Sequence, residues 1–419
     1  MSQKPTKIRW VLGILLFILG FVAYMDRVNL SVAGPMIMND FGFNKVQFGM
    51  VQTFFFVGYA AMQIPGGMFA ESFGSRKAMT IAITWWSAFT MFTATASNFL
   101  TFGIVRALFG IGEAPLYPAA SVLVAKWFNK KERGVANSFI LAGSFIGPVL
   151  APMITVSVIT TFGWRAVFYL FGVLGFMVAL GWWLIARDTP EGHPLINKAE
   201  LEIITGNEKE TSPMKKIAPW KNFIGSTQFW AIGIQYFVTD YIMYVYLSWI
   251  PIYLMEAQKF SMKEMGIMVS FPWLALAITT LTTGFISDKL VAKGVSVFKV
   301  RTYFGAIGII VSSIALYLAA GSKVPNVTVA FLTLSLGSLG FTFNASWASC
   351  NDLGKEFTGS ISGWMNLWGN IGGVIAPTLT AVIATRYGWQ MALTMTAMIG
   401  IIGVFAWVLV RPDRPISIK

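Results

Sequence analysis

Long apolar runs alternate with short polar segments along the whole chain. A helix needs about 20 residues, at 1.5 Å per residue, to cross a hydrocarbon core of about 30 Å. Twelve runs meet that length, with approximate limits 10–32, 47–70, 78–98, 101–125, 134–158, 166–186, 227–254, 265–287, 302–320, 327–350, 358–384 and 391–410. The pattern predicts an all-α membrane protein with twelve transmembrane helices.

The longest polar stretch, Arg187 to Gln228, separates six predicted spans from six. It contains Pro, Gly, Asn, Glu and Lys, a composition typical of a loop. We therefore expect an N-terminal six-helix bundle at 1–186, a cytoplasmic linker at 187–226 and a C-terminal six-helix bundle at 227–419.

Two short sequence motifs, which we call echoes, recur at the same place in each predicted six-helix half. One follows the second span of each half and the other follows the fifth. They pair Gly67 and Glu71 with Gly284 and Asp288, and Gly163-Trp164 with Gly388-Trp389. Parallel repeats of six helices are a known transporter architecture, in which the substrate site lies near the bilayer midplane. The echoes predict two bundles related by a pseudo-two-fold axis.

The composition agrees with a membrane protein and excludes several kinds of chemistry. Hydrophobic residues make up 56% of the chain and charged residues 12%, against about 25% charged in soluble domains. Cys350 is the single cysteine, so there is no intramolecular disulfide or thiol cluster. His193 is the single histidine and lies in a polar stretch, where we expect a surface loop position. No metal site, cofactor or histidine-based catalysis is predicted, and the protein is not expected to be an enzyme.

Lysines and arginines concentrate on one side of the predicted topology. If the amino terminus is inside, nearly all of the basic loops face the cytoplasm, as short cytoplasmic loops usually do. We expect both termini to be cytoplasmic and the protein to be multi-pass in the inner membrane. Basic loops facing an anionic leaflet explain the net charge of +13, so no nucleic-acid partner is needed.

Four charged residues interrupt two of the apolar spans. Asp26 and Arg27 stand in the middle of the first span, where a charge costs about 2.5–3.5 kcal/mol on insertion scales. In the fourth span, Arg106 and Glu113 are seven residues apart, two helical turns, and share one face. Such charges must face a protein interior or a water-filled path, and they predict transport.

The segment from Gly67 to Lys77 resembles the loop signature of the major facilitator superfamily, with Glu71 at the usual Asp position. The resemblance implies that an acid near a helix end and basic residues opposite form charge contacts that hold one conformation. We assign this gating role to Glu71, Arg76 and, by the internal echo, Asp288. The alternative is that Arg76 and Lys77 only anchor the loop on the positive side of the membrane.

More narrowly, the whole chain resembles the anion:cation symporter family, which includes bacterial sugar-acid transporters. The segments that carry the resemblance begin at Tyr24, Tyr59, Arg106, Trp347 and Gly363. The resemblance implies roles for particular side chains: Asp26 and Glu113 carry protons, Arg27 and Arg106 attract the anion or balance the acids, and Tyr59, Trp347 and Asn366 contact substrate. A structural ion-pair network with no titration remains the alternative for the two acids.

Asp240, in the seventh span, departs from the family pattern. Sugar-acid members usually have a small or neutral residue there, and a further buried acid repels a simple anion. We assign Asp240 to the substrate site, where it receives an amino or hydroxyl group, or serves as a third titrating site. The alternative is an acid bonded to a neighbouring tyrosine. At Ser144 the sugar-acid members tend to have a larger amide.

These observations predict a secondary active transporter that works by alternating access. Its partners are a small organic anion, such as an aldonate, aldarate or hexuronate, protons and the lipid bilayer, and it is expected to be monomeric. Two alternatives stay open: an exchanger of organic anions or sugar phosphates with the same fold, and a nontransporting membrane sensor.

Overall fold

The computed structural model describes residues 4–129, 131–206 and 219–416, so residues 207–218 of the predicted linker lie outside the described part. Within these ranges the chain is helical almost throughout and contains no strand. The α-helices are α1 (Ile8–Phe41), α2 (Lys45–Phe73), α3 (Ser75–Thr95), α4 (Phe99–Glu113), α5 (Leu116–Trp127), α6 (Arg133–Phe162), α7 (Trp164–Ile185), α8 (Lys198–Thr205), α9 (Trp220–Ile224), α10 (Thr227–Glu256), α11 (Met262–Met268), α12 (Ser270–Ala292), α13 (Val297–Gly321), α14 (Pro325–Gly354) and α15 (Thr358–Leu409).

Each of the twelve predicted spans corresponds to helix in the structure. The fourth span is divided into α4 and α5, the eighth into α11 and α12, and the eleventh and twelfth run together in α15. Among the described residues, eight helical stretches are long and apolar enough to cross a membrane by themselves, and α15 contains two of the predicted spans. The all-α prediction is confirmed, and the helices extend beyond several of the predicted limits.

The break in the fourth span lies directly after Glu113. Pro115 has no backbone N–H and cannot continue the hydrogen-bond ladder of α4, and α5 begins one residue later, at Leu116. At its other end, α4 begins with a reciprocal cap in which Asn98 and Thr101 bond each other's backbone. Glu113 is therefore the last residue of a well-defined helix, next to the break.

The Gly-Trp echo marks equivalent backbone breaks in the two halves of the sequence. Gly163 between α6 and α7 has φ 81° and ψ 166°, and Gly388 inside α15 has φ 84° and ψ 167°. Positive φ is accessible to glycine at little cost because it has no Cβ. The Gly-Trp echo therefore coincides with the same turn in both halves, and in α15 this turn separates the eleventh span from the twelfth.

The chain divides into two compact units. Unit 1 comprises Met1–Ala33 and Phe54–Lys215, and unit 2 comprises Gly34–Thr53 and Lys216–Lys419. The segment Gly34–Thr53, which the predicted division places in the N-terminal bundle, belongs to unit 2. The predicted domain limits remain a prediction.

Glycines let the helices of unit 1 approach closely. A Cβ at Gly20 of α1 would collide with the backbone of Ile140, and one at Gly143 of α6 with the backbone of Phe17. These paired positions hold α1 against α6. Small residues at such contacts are usual in membrane helix pairs, where packing rather than the hydrophobic effect drives association. The site-bearing helix α1 is fixed in this way.

The described part of the linker also ties down the start of α1. Glu200 of α8 is fully buried and accepts hydrogen bonds from the backbone N–H of Ile8 and Arg9, at 3.0 and 3.2 Å. The guanidinium of Arg9 bonds Glu200 at 2.9 Å and Glu132 at 3.1 Å. An acid at a helix N-terminus satisfies unpaired N–H groups and interacts favourably with the helix dipole.

The expected surface position of His193 is wrong. Its ring is 6% exposed, packs edge-on against Trp127 at 5.6 Å, and lies 3.1 Å from the carbonyl oxygen of Ile185. Because burial disfavours the charged ring, the pKa of His193 is lowered. Because the residues around His193 in the sequence are polar, they gave no indication that its ring packs against Trp127.

Candidate functional site

Unit 1 brings the four predicted charges together in its interior. Asp26 and Arg27 of α1 are 1% and 6% exposed, and Arg106 and Glu113 of α4 are 3% and 0% exposed. We call these four residues the charge cluster. Helix α1 is fixed by its glycine contact with α6, and α4 ends at Glu113, so both helices present their charges from defined positions.

Within the charge cluster, Arg27 pairs with Glu113 rather than with its chain neighbour. Its Nε donates to Glu113 Oε1 at 2.7 Å, and its Nη2 lies 2.5 Å from the same oxygen. Both side chains are almost fully buried, at 3% and 0% exposure. Neighbouring residues on a helix point about 100° apart, which explains why Asp26 is directed elsewhere. A short, charge-assisted contact of this kind is among the stronger hydrogen bonds in proteins.

Aromatic rings surround the guanidinium of Arg27. Its central carbon lies 4.7 Å from the ring centre of Tyr24, 5.0 Å from Phe55 and 4.9 Å from Tyr59. Each of these distances suits a cation–π interaction. Tyr59, predicted to contact substrate, therefore lies directly beside Arg27, and its side chain is buried.

Arg106 and Asp26 are two members of the cluster with unsatisfied polar atoms. The guanidinium of Arg106 lies over the rings of Phe109, at 4.4 Å, and Phe55, at 5.3 Å. Its Nε and both carboxylate oxygens of Asp26 have no hydrogen-bond partner among the described residues. Burying a carboxylate without such partners is costly, so this part of the cluster has the capacity to bind a proton or a ligand.

The predicted substrate residues of unit 2 are Trp347, Asn366 and one acid, Asp240. Trp347 of α14 donates from Nε1 to the hydroxyl oxygen of Tyr236 of α10 at 3.1 Å, and the rings meet edge-on at 6.1 Å. Trp347 is 42% exposed and Tyr236 5%. Asn366 of α15 is half-buried, and its backbone carbonyl accepts from the side chain of Asn370 at 2.9 Å.

Asp240 lies on α10 one turn after Tyr236 and is 4% exposed. A Cβ placed on Gly369 of α15 would collide with its Oδ2, and would lie 2.9 Å from the Tyr236 ring. The absence of a side chain at Gly369 thus leaves the space that the Asp240 carboxyl occupies. We call Tyr236, Asp240, Trp347 and Asn366 the unit 2 set. Sequence reasoning missed Tyr236, although its position four residues before Asp240 could have indicated a shared face.

The predicted gating residues lie at helix ends and have different surroundings in the two units. In unit 1 the guanidinium of Arg76 donates to the carbonyl of Trp183, at 2.7 Å from Nη2, and stacks over its ring at 3.9 Å. The backbone N–H of Arg76 donates to Asp188 at 2.8 Å. Glu71 is exposed.

In unit 2 the echo residue Asp288 forms an ion pair that sequence reasoning missed. Arg301 at the start of α13 lies 3.3 Å from Asp288 and 3.4 Å from Asp352, and it also bonds Ser287. The side chain of Asp288 is 77% exposed, so its contact with Arg301 is largely solvated. The gating role of Asp288 remains a prediction, and its contact with Arg301 joins the end of α12 to the start of α13.

Unit 2 also contains a polar cluster that the sequence did not indicate. Lys45, in the segment Gly34–Thr53, pairs with Glu256 at the end of α10 at 2.9 Å. The ring nitrogen of Trp389 donates to the same Glu256 oxygen at 2.9 Å. The sequence did not indicate this bond, because a tryptophan near a helix end is usually an interfacial anchor.

No group of three or more His, Cys, Asp or Glu side chains suited to a metal ion occurs in residues 4–129, 131–206 and 219–416. The chemistry that the charge cluster offers is the transfer of protons and the binding of anions. Arginine suits the second task because its planar fork matches a carboxylate and stays charged when buried.

Sequence comparison finds related transporters over the full length. The sequence model described as Major Facilitator Superfamily matches residues 16–377. An ascorbate transporter from chloroplasts of Arabidopsis thaliana is 31% identical over 403 residues, 95% of this chain and 74% of the relative. The D-galactonate transporter of Escherichia coli O6:H1 is 29% identical over 423 residues, 98% of this chain and 97% of the relative. A probable galactarate/D-glucarate transporter of Escherichia coli K12 is 29% identical over 440 residues, 100% of this chain and 96% of the relative.

A solved structure shares the fold over nearly the whole chain. A bacterial homolog of the human lysosomal transporter Spinster, in an inward-facing and unoccupied conformation, superposes with a TM-score of 0.82. The alignment covers 98% of both chains at 18% identity. The twelve-span fold predicted from the apolar runs is confirmed.

Proposed function

Because this chain belongs to the Major Facilitator Superfamily, whose members carry solutes across membranes, we propose that it is a proton-coupled symporter of an organic anion. The relatives named for ascorbate, galactonate and glucarate support an anionic substrate, and we place it among the hydroxylated sugar acids: aldonates, aldarates and hexuronates. Transport proceeds by alternating access.

One observation carries the proposal: the charge cluster contains two acids, of which only Glu113 has a strong partner. Glu113 is held by Arg27 at 2.7 Å, whereas both oxygens of Asp26 lack hydrogen bonds in the described part of the chain. A proton on Asp26 removes the cost of burying its charge. Asp26 is therefore proposed as the first proton acceptor, and Glu113 as the second.

The anion then competes for the arginines. A substrate carboxylate that binds Arg27 weakens its hold on Glu113, and a proton on Glu113 offsets that loss. Arg106, which lies over two aromatic rings and has an unpartnered Nε among the described residues, provides a second positive charge. Binding of the anion and binding of the proton thus favour each other, which is the thermodynamic requirement for symport.

The remaining predicted residues complete the proposed assignments. Tyr59 and the unit 2 set contact substrate hydroxyl groups, and Asp240 receives one hydrogen-bond donor. Glu71, Arg76 and Asp288 contribute to gating. We also propose, from the distribution of basic loops, that both termini are cytoplasmic, that the protein lies in the inner membrane and that it functions as a monomer.

An exchanger of organic anions or sugar phosphates is the second candidate, because it would use the same pair of buried arginines. The two buried acids favour proton coupling, since an exchanger of anions has no need of groups that bind protons inside the cluster. Exchange without coupling is expected only when the acids are neutralised.

The test is transport by the purified protein in proteoliposomes, after a thermal-shift screen of sugar acids has identified a ligand. With an inwardly directed proton gradient, in which the outside is more acidic, the wild type is expected to accumulate the sugar acid. The variants Asp26→Asn and Glu113→Gln are expected to lose this accumulation while retaining counterflow. Accumulation equal to the wild type in both variants would reject proton coupling through these acids. Counterflow without any response to the pH gradient in the wild type would favour the exchanger.

A further inference from the structure

A threonine hydroxyl of unit 1 lies beside the Asp26 carboxyl. Thr90 is on α3 and is 1% exposed. Its side chain approaches the carboxyl of Asp26. Neither the Thr90 hydroxyl nor the Asp26 oxygens make a hydrogen bond with good geometry in the described part of unit 1. Two buried polar groups therefore adjoin each other, and both lack another partner there.

Thr90 differs in this respect from other threonines of the same helix. A threonine inside a helix usually donates to the backbone carbonyl one turn earlier. Thr93 does so, with its hydroxyl 2.9 Å from the carbonyl of Phe89, and Thr80 likewise bonds Arg76 at 2.8 Å. The hydroxyl of Thr90 makes no such bond. It remains available for Asp26.

The charged groups around Asp26 come from two helices. Arg106 and Glu113 of α4 act on it electrostatically with opposite signs, and Arg27 follows it on α1. Arg27 is engaged by Glu113 at 2.7 Å. The donors that could stabilise an ionised Asp26 are therefore Arg106, through charge, and Thr90, through a hydrogen bond.

We propose that Thr90 is a positioning residue for the proton on Asp26. This inference rests on the proposed function, in which Asp26 takes up a proton. A hydroxyl can donate to the ionised carboxylate and, after rotation, accept from the protonated carboxyl. Thr90 can thus serve Asp26 in both states without a change in the backbone, and it would set the pH at which the carboxyl changes state.

Removing the hydroxyl should favour the protonated form of Asp26. The carboxylate loses a donor that the protonated carboxyl needs less, because hydrogen bonds to charged groups are the stronger ones. In Thr90→Val the midpoint for ionisation of Asp26 is expected to rise by about one pH unit. Thr90→Ser keeps the hydroxyl and should stay close to the wild type.

The experiment is an infrared pH titration of the purified full chain in lipid, without substrate. The C=O band of the protonated Asp26 is identified by its absence in Asp26→Asn. Thr93→Val is the matched control, because it removes a buried hydroxyl of α3 that bonds its own helix. We expect Thr90→Val to move both the band frequency and the midpoint, and Thr93→Val to move neither.

Equal band and midpoint in Thr90→Val and Thr93→Val would overturn the role of Thr90 and leave the proposed symport untouched. A wild-type pH dependence of uptake in Asp26→Asn would overturn both, because Asp26 would then carry no coupled proton. If Thr90→Val fails to fold, Thr90→Ala provides the same comparison, and a rescue by Thr90→Ser separates the hydroxyl from the space it fills.

Discussion

The two units differ in how they hold polar side chains within apolar helices. Unit 1 concentrates four charges from α1 and α4, in which Arg27 and Glu113 are paired and Asp26 is unsatisfied among the described residues. The unit 2 set is mostly neutral: Trp347 is hydrogen-bonded to Tyr236, and the one acid of the set, Asp240, lies beside Gly369. The internal echoes relate the halves at their loops, whereas the charge cluster and the unit 2 set differ in their residue types.

This difference separates two tasks that a symporter has to perform. A set of opposite charges with an unsatisfied member responds to protons and anions, because a change in one charge alters the energy of the others. Neutral donors and acceptors respond little to pH but select for the arrangement of hydroxyl groups. We therefore associate unit 1 with coupling and unit 2 with substrate selection, and the following variants test that division.

The largest effect is expected from breaking the buried ion pair. Arg27→Gln leaves Glu113 buried without its partner, which typically costs about 3–5 kcal/mol. We expect a clearly lower melting temperature and loss of uptake. In the double variant Arg27→Gln/Glu113→Gln most of the stability should return while proton-driven uptake stays absent. A double variant as unstable as the single one would show that the pair is not what holds this part of unit 1.

The next largest effect is expected on substrate selection by the unit 2 set. Gly369→Ala places a Cβ against the Asp240 carboxyl and should displace it, whereas Gly363→Ala on the same helix meets no atom within 4 Å. We expect Gly369→Ala and Asp240→Asn to lower the preference for a hydroxylated over a deoxygenated sugar acid about tenfold. This change corresponds to about 1.4 kcal/mol in the difference between the two binding free energies. Competition assays measure this ratio. An unchanged preference ratio in both variants would show that Asp240 has a structural role and does not contact substrate.

A smaller effect is expected at the aromatic pair of unit 2. Trp347→Phe removes the hydrogen bond to Tyr236, worth about 1 kcal/mol, and keeps most of the ring. The KM for substrate should rise about fivefold with the pH dependence of uptake unchanged. A shifted pH dependence would mean that unit 2 takes part in coupling, contrary to the division of tasks.

The smallest effect is expected at the exposed ion pair of Asp288. Its side chain is 77% exposed, and solvated pairs contribute about 0–1 kcal/mol. Asp288→Asn should leave the melting temperature almost unchanged. If the pair takes part in gating, accessibility of engineered cysteines on the two membrane faces will still change. No change in either measurement would restrict Asp288 to a surface role.

The sequence predicted the spans and the members of the charge cluster, because long apolar runs and isolated charges are local signals. It could not predict that Arg27 pairs with Glu113, 86 residues away, since that depends on how α1 and α4 are rotated. The sequence also gave no indication of the role proposed for Thr90 beside Asp26. Threonine is common in membrane helices, and only its missing backbone bond distinguishes it.

Substrate-induced proton uptake by the purified protein tests the central claim most directly. It is measured with a pH indicator in weak buffer, using a sugar acid found in the thermal-shift screen. We expect the wild type and Asp240→Asn to take up protons on binding, and Asp26→Asn/Glu113→Gln to bind the acid without proton uptake. Proton uptake that persists in the double variant, or disappears in Asp240→Asn alone, would contradict the assignment of coupling to unit 1.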